Sequence, residues 1–184
     1  MSEFVISTRY ANAFMGIAEK NNLFPQIIAE VKFISKTLSN SKELRNLLVN
    51  PTINSQKKIT ILNEIFNSHI SKELSDFLKF LVVKKRENLL TDIMKRFLNL
   101  ADEKLNNANV NIISAIELSI DQKTNIETKL KEMLNKNIIA EYEIDNSIIG
   151  GFKAKFNDSI IDASIQHQLE LLKKRLLKQS YLSN

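Results

Sequence analysis

Apolar residues recur every three or four positions through the first hundred residues, and that spacing predicts a series of short amphipathic helices. Tyr10, Ala11, Phe14, Ile17 and Ala18 give a first helix one apolar face, with Ser7 as its expected N-cap and Asn21-Asn22 as its end. Pro25 fits the first turn of a second helix, where its missing N–H costs nothing, and Ile27, Ile28, Val31, Ile34 and Leu38 form the stripe. Asn40 with Glu43 predicts the cap of a short third helix. It ends at Asn50-Pro51, because the residue before proline is pushed out of the α region. A fourth helix is expected over about 54–66, with Ile59, Leu62, Ile65 and Phe66 inward. Ser71 opens a fifth, carrying Leu74, Phe77, Leu78, Leu81 and Val82. A sixth covers about 87–105, with Leu90, Ile93, Met94, Phe97 and Ala101 inward.

The periodicity then changes. Asn106-Asn107-Ala108-Asn109 reads as a polar break, which predicts domains over 1–105 and 106–184. Val110 to Leu118 is rich in β-branched residues and predicts a strand. Ser119 with Gln122 forms a capping box for a helix over about 120–135, with Ile126, Leu130, Met133 and Leu134 buried. A strand follows over about 138–144, then a turn at Asp145-Asn146-Ser147. Phe152, Ala154 and Phe156 alternate with Lys153 and Lys155 in a half-buried strand. Asn157-Asp158 turns the chain into a short return strand at Ile160-Ile161. From about Ala163 a long helix carries Ile165, Leu169, Leu172 and Leu176. The expected fold class is mainly α: an N-terminal six-helix bundle followed by a small α/β C-terminal domain.

Composition agrees with that picture and excludes several chemistries. At 184 residues the chain can bury roughly 70% of its unfolded surface and needs no metal or disulfide to fold. Three Gly and two Pro are too few for a many-turned all-β fold. Without Cys there is no thiolate metal site and no thiol nucleophile. No apolar run reaches the length of about 18 residues needed to span a bilayer, and no secretory signal pattern is visible over 1–9. The net charge of +5 comes from the N-terminal part: residues 1–108 hold 16 Lys+Arg against 11 Asp+Glu, while 109–184 hold ten of each. A Lys-rich solvated surface accounts for it; an anionic partner is the sharper alternative.

No catalytic constellation emerges. His69 and His167 lie in different expected domains, and neither has a partner at metal-ligand spacing. Gly150-Gly151 precedes a strand, so it reads as a close backbone approach and not as a phosphate loop. Asp121, Asp158 and Asp162 could in principle supply paired carboxylates, but Asp158 and Asp162 flank a short expected strand and read as solvated turn positions. Lys84-Lys85-Arg86 is the strongest basic cluster, and cations at a helix C-terminus suit its dipole. A nucleic-acid module or an enzyme are the competing classes. The first predicts steep salt dependence, the second a pocket of converging polar groups. The fifth helix is apolar around most of its circumference, with Phe80 and Val83 left over after the core stripe is assigned. Spacing alone leaves two readings: two-sided burial, or a groove for a partner helix.

Several ordered patterns resemble the delta-subunit family of bacterial F-type ATP synthases, relatives of the mitochondrial oligomycin-sensitivity-conferring protein. They are Arg9-Tyr10-Ala11-Asn12-Ala13-Phe14, Asn50-Pro51-Thr52-Ile53 with Lys57, and Arg86 before Leu89-Leu90. Ser114-Ala115 with Leu118-Ser119 follows. The clearest is Ile148-Ile149-Gly150-Gly151-Phe152 with Asp162-Ala163-Ser164-Ile165. Lys84, Ile113 and Phe14 depart from the family's usual Asn, Thr and Leu. The resemblance implies a non-catalytic stator subunit with no cofactor and no metal, acting in proton-driven ATP synthesis. It would sit peripherally on the cytoplasmic face of the bacterial inner membrane and bind no nucleic acid. It implies that the N-terminal bundle binds the N-terminal segments of alpha subunits through its first and fifth helices. Tyr10, Ala13, Phe14, Phe77, Phe80 and Leu81 are the residues expected there. The C-terminal domain would hold the C-terminal end of the b-subunit stalk, with Leu169, Leu172, Lys173 and Leu176 in contact. Gly150, Gly151, Asp162 and Ser164 are expected to be structural.

Overall fold

A computed structural model describes residues 2–157 and 159–182, with side chains described through residue 175. The chain is mainly helical, with eight α-helices among the described residues and one small four-stranded mixed sheet. It divides into two compact units, Met1–Lys104 and Leu105–Asn184.

The first unit contains α1 (Glu3–Lys20), α2 (Phe24–Asn40), α3 (Lys42–Val49), α4 (Ser55–Phe66), α5 (Lys72–Val83), a 3₁₀ turn (Glu87–Leu89) and α6 (Leu90–Lys104). Their apolar stripes share one core, in which Phe14, Phe66, Phe97, Ile27, Ile34 and Leu38 are fully buried. Ser7 is not the cap of α1: the helix starts a turn earlier, and Ser7 lies buried within it. Contacts already begin there, since Arg96 lies over the Phe4 ring at 5.4 Å and Ile6 packs on the core. The cap of α3 is Ser41, whose Oγ accepts from the Leu44 N–H, while Asn40 is still the last residue of α2. Asn54 and Ser71 cap α4 and α5 by accepting from Lys57 and Leu74.

The inward face of α4 differs from the expected one. Ile65 lies at the surface, and Lys58 joins Leu62 and Phe66 on the buried side. Its Nζ donates to the Leu48 carbonyl and to Glu87 Oε1, both at 2.7 Å. A buried ammonium survives only with partners of this kind. At the end of α5, Lys85 adopts φ +55°, and the Arg86 N–H bonds back to the Leu81 carbonyl at 2.9 Å. This is a Schellman closure with lysine in the left-handed position usually given to glycine.

The second unit contains β1 (Asn107–Ser114), α7 (Ile120–Leu134), β2 (Asn137–Ile144), β3 (Phe152–Phe156), β4 (Ser159–Asp162) and α8 (Ile165–Leu182). The sheet order is β2-β1-β3-β4, with β1 and β2 parallel and the other pairs antiparallel. The expected polar break at Asn106–Asn109 is largely strand. Ala108, Val110, Ile112 and Ser114 alternate inward, and Asn107, Asn109 and Asn111 fall on the other face. The strand also stops at Ser114, four residues before the expected end. The capping box of α7 is present, with Ser119 and Gln122 bonding reciprocally. Ile126 and Leu130 bury against the sheet, whereas Met133, expected inward, is 59% exposed. The stripe runs at intervals of four to Leu134, and Met133 falls beside it.

Candidate protein-binding surfaces

Of the six residues expected on the α1/α5 face, two lie at the surface, one is half-buried and three lie beneath. Phe14, Phe77 and Leu81 are buried, because they belong to the stripes that build the core. Phe14 and Phe77 stack with ring centroids 4.2 Å apart. Tyr10 is half-buried, Ala13 is exposed and Phe80 is 45% exposed. The Tyr10 and Phe80 rings lie 6.2 Å apart, with Lys84 Nζ 5.6 Å from the Phe80 centroid. The structure thus brings Tyr10 and Phe80 together over a buried aromatic pair. Ile17 and Val83 are also exposed on these two helices. Val83 matches the apolar position that the core stripe of the fifth helix leaves over, whereas Ile17, expected inward from spacing, faces out.

In the second unit, Leu169 and Leu172 of α8 are 59% and 51% exposed, and Lys173 is exposed as well. The Leu176 side chain lies outside the described residues. The start of α8 is tightly built. Ser164 Oγ accepts from the His167 N–H, and Asp162 Oδ1 accepts from the Ser164 N–H at 2.9 Å. Hydrogen bonds from Ser164 hold the Asp162 carboxyl below its ordinary range, with Lys153 adding charge support. Gly151 has φ +79°, and a Cβ there would fall 2.4 Å from the Ala163 carbonyl oxygen. A Cβ on Gly150 would fall 2.6 Å from Ile165 Cδ1. The Gly-Gly pair therefore lets the loop press against the start of α8.

A cleft of about 360 Å³ lies beside this loop, lined in part by Ile116, Leu118, Ile126, Ile149 and Phe152. Spacing missed it, because its walls come from three separate segments. The one available signal was the pair Ile148-Ile149 ahead of the glycines.

Among the described residues, His69, His167 and Asp121 each have a structural setting of their own. His69 stacks on Phe33 and shares a hydrogen bond with Ser68, and the His167 backbone serves the α8 cap. Asp121 sits in the first turn of α7, and Asp158 lies outside the described residues. Among the described residues no cluster of His, Cys, Asp or Glu fits a metal ion. No helix among them is long and apolar enough to cross a membrane.

The family model for the ATP synthase delta (OSCP) subunit matches residues 6–176. A protein of Pelodictyon phaeoclathratiforme called ATP synthase subunit delta is 38% identical over 177 residues, covering 96% of this chain and 99% of that protein. One from Chlorobaculum tepidum with the same name is 37% identical over 179 residues, covering 97% and 99%. The fold is similar to a chain in the cryo-EM structure of the Toxoplasma gondii mitochondrial ATP synthase hexamer. The TM-score is 0.69 at 18% identity, over 93% of this chain and 97% of that one. With both sequence comparisons running nearly end to end, the chain belongs to the ATP synthase delta (OSCP) subunit family.

Proposed function

We propose that the chain joins the catalytic head of the F-type ATP synthase to the peripheral stalk through two separate apolar surfaces. It is a non-catalytic stator component of that complex. Residues 1–105, read as a six-helix bundle, take the N-terminal segment of an alpha subunit along α1 and α5. Residues 106–184 hold the C-terminal end of the b subunit along α8. The assembly lies peripherally on the cytoplasmic face of the membrane. Holding a stator against torque asks for nanomolar affinity, about 12 kcal/mol, and no bond chemistry.

The observation that carries this reading is the exposed Phe80 beside Tyr10. Phe80 takes no part in the core of the first unit, and Tyr10 packs on it only at the edge, so part of both rings remains for a partner. Large exposed apolar side chains in a group mark interaction surfaces. Exposed Leu169 and Leu172 support the same reading for α8. Titration calorimetry with an alpha-subunit N-terminal peptide tests it. Phe80→Asp should weaken binding by about tenfold or more while the melt stays unchanged. Equal affinity of variant and parent would remove this face from the site.

A further inference from the structure

We infer that the cleft beside Gly150-Gly151 and the exposed stripe of α8 form one continuous track for a single partner helix, apolar at one end and acidic along its flank. This rests on the reading that the second unit holds the stalk, and it adds to that reading where the helix lies, which way it runs and what it carries.

Continuity is the first observation. Ile165, the first residue of α8, donates its N–H to the Gly150 carbonyl at 3.0 Å. Its side chain fills the space a Cβ on Gly150 would need. Gly150 lines the cleft, and Ile165 begins a shallow groove continued by Leu169, Leu172 and Arg175. Ile149 is 78% and Ile116 69% exposed at the cleft, and Ile165 is 45% exposed at the joint. Positions 165, 169 and 172 lie on one face of α8, so the track follows the helix.

Charge complementarity sets the occupant and its polarity. The cleft lining carries no charged side chain; its polar members are Gln122 and Asn125. The opposite end is lined by Arg175, with Lys173 and Lys174 exposed next to it in the sequence of α8. A helix laid along this path therefore places an uncharged apolar end in the cleft and carboxylates beside the basic run. The apolar contacts hold it, and the ion pairs fix its direction.

The test uses the full chain and the soluble segment of its own b subunit, with binding measured by calorimetry at two salt concentrations. Ile149→Asp and Leu169→Asp should each weaken binding by about tenfold or more. Ile160→Asp, on an exposed β4 position away from the track, should leave it unchanged. Affinity of the parent should fall with added salt, and Lys173→Glu with Lys174→Glu should remove most of that fall. All three single sites are exposed, and unchanged melts will confirm intact folding. Loss with Leu169→Asp but not Ile149→Asp would overturn the continuous track and leave the stalk reading standing. No binding by the parent chain would overturn both. Co-sedimentation with phosphatidylcholine–phosphatidylglycerol vesicles that Leu169→Asp abolishes would assign the face to a lipid surface and overturn the proposal.

Discussion

The rings of Phe14 and Phe77 stack at 4.2 Å with 13° between their planes. One turn away on each helix, Tyr10 and Phe80 form a second aromatic pair nearer the solvent. The two layers predict opposite kinds of loss. Phe77→Ala empties a buried site and should cost about 3–5 kcal/mol in urea unfolding. Phe80→Ala removes a half-exposed ring and should cost about 0.5 kcal/mol or less. Similar costs for both would contradict the layering.

Lys58 is the second sensitive point. It is 3% exposed, and its ammonium ties the last turn of α3 to the 3₁₀ turn before α6 through Leu48 and Glu87. Lys58→Met keeps the volume but strands the Glu87 carboxylate and leaves the Leu48 carbonyl without its donor. The expected cost is about 3–5 kcal/mol. Adding Glu87→Leu should recover much of it, because an apolar pair can replace a buried ion pair. A denaturant midpoint for the double variant no better than for Lys58→Met would show that the carbonyl contact, not the charge, dominates.

Lys58 also shows where sequence patterning runs out. The six helical stretches were legible because Ile27, Val31, Ile34 and Leu38, or Leu74, Phe77, Leu78 and Leu81, repeat at the helical period. Period gives a stripe but not its phase against the neighbours. Phe14, Phe77 and Leu81, which the period puts on the apolar stripes, are buried, while Ile17, Ile65 and Met133, also expected inward, face out. A lysine reads as solvated unless its carboxylate is known to be near, and Glu87 is 29 residues away. The start of β1 was hidden differently: its Asn-rich composition outweighed a true period-two alternation from Ala108 to Ser114. The Gly-Gly pair was legible as a close approach, but the cleft beside it required knowing that Ile116, Ile149 and Phe152 meet.

The two glycines with opposite surroundings give a paired prediction. Gly16 lies within α1 with nothing within 4 Å of where its Cβ would stand. Gly16→Ala should therefore stabilise the first unit by about 0.5–1 kcal/mol through helix propensity. Gly151→Ala meets both a left-handed φ and the Ala163 carbonyl, so it should destabilise the second unit. Hydrogen exchange resolves the two units: Gly151→Ala should speed exchange in β3, β4 and α8 and leave α1–α6 protected. Uniform loss of protection across the chain would contradict a local effect.

The start of α8 should respond to acid through Asp162. Its carboxylate accepts from Ser164, and Lys153 Nζ lies 3.7 Å from its other oxygen. These contacts lower its pKa, so the folded unit binds the proton more weakly than the unfolded chain does. The stabilisation is full above the ordinary Asp value of about 3.9 and is lost as pH falls through the lowered folded value. Asp162→Asn keeps an oxygen to accept from Ser164 but removes the charge. At neutral pH the variant should unfold at lower urea than the parent. The gap should stay constant down to about pH 4 and narrow below it. Both groups are near solvent, so salt should shrink the gap as well. A difference that persists unchanged into strong acid would mean that the cap geometry, and not the charge, is what Asp162 contributes.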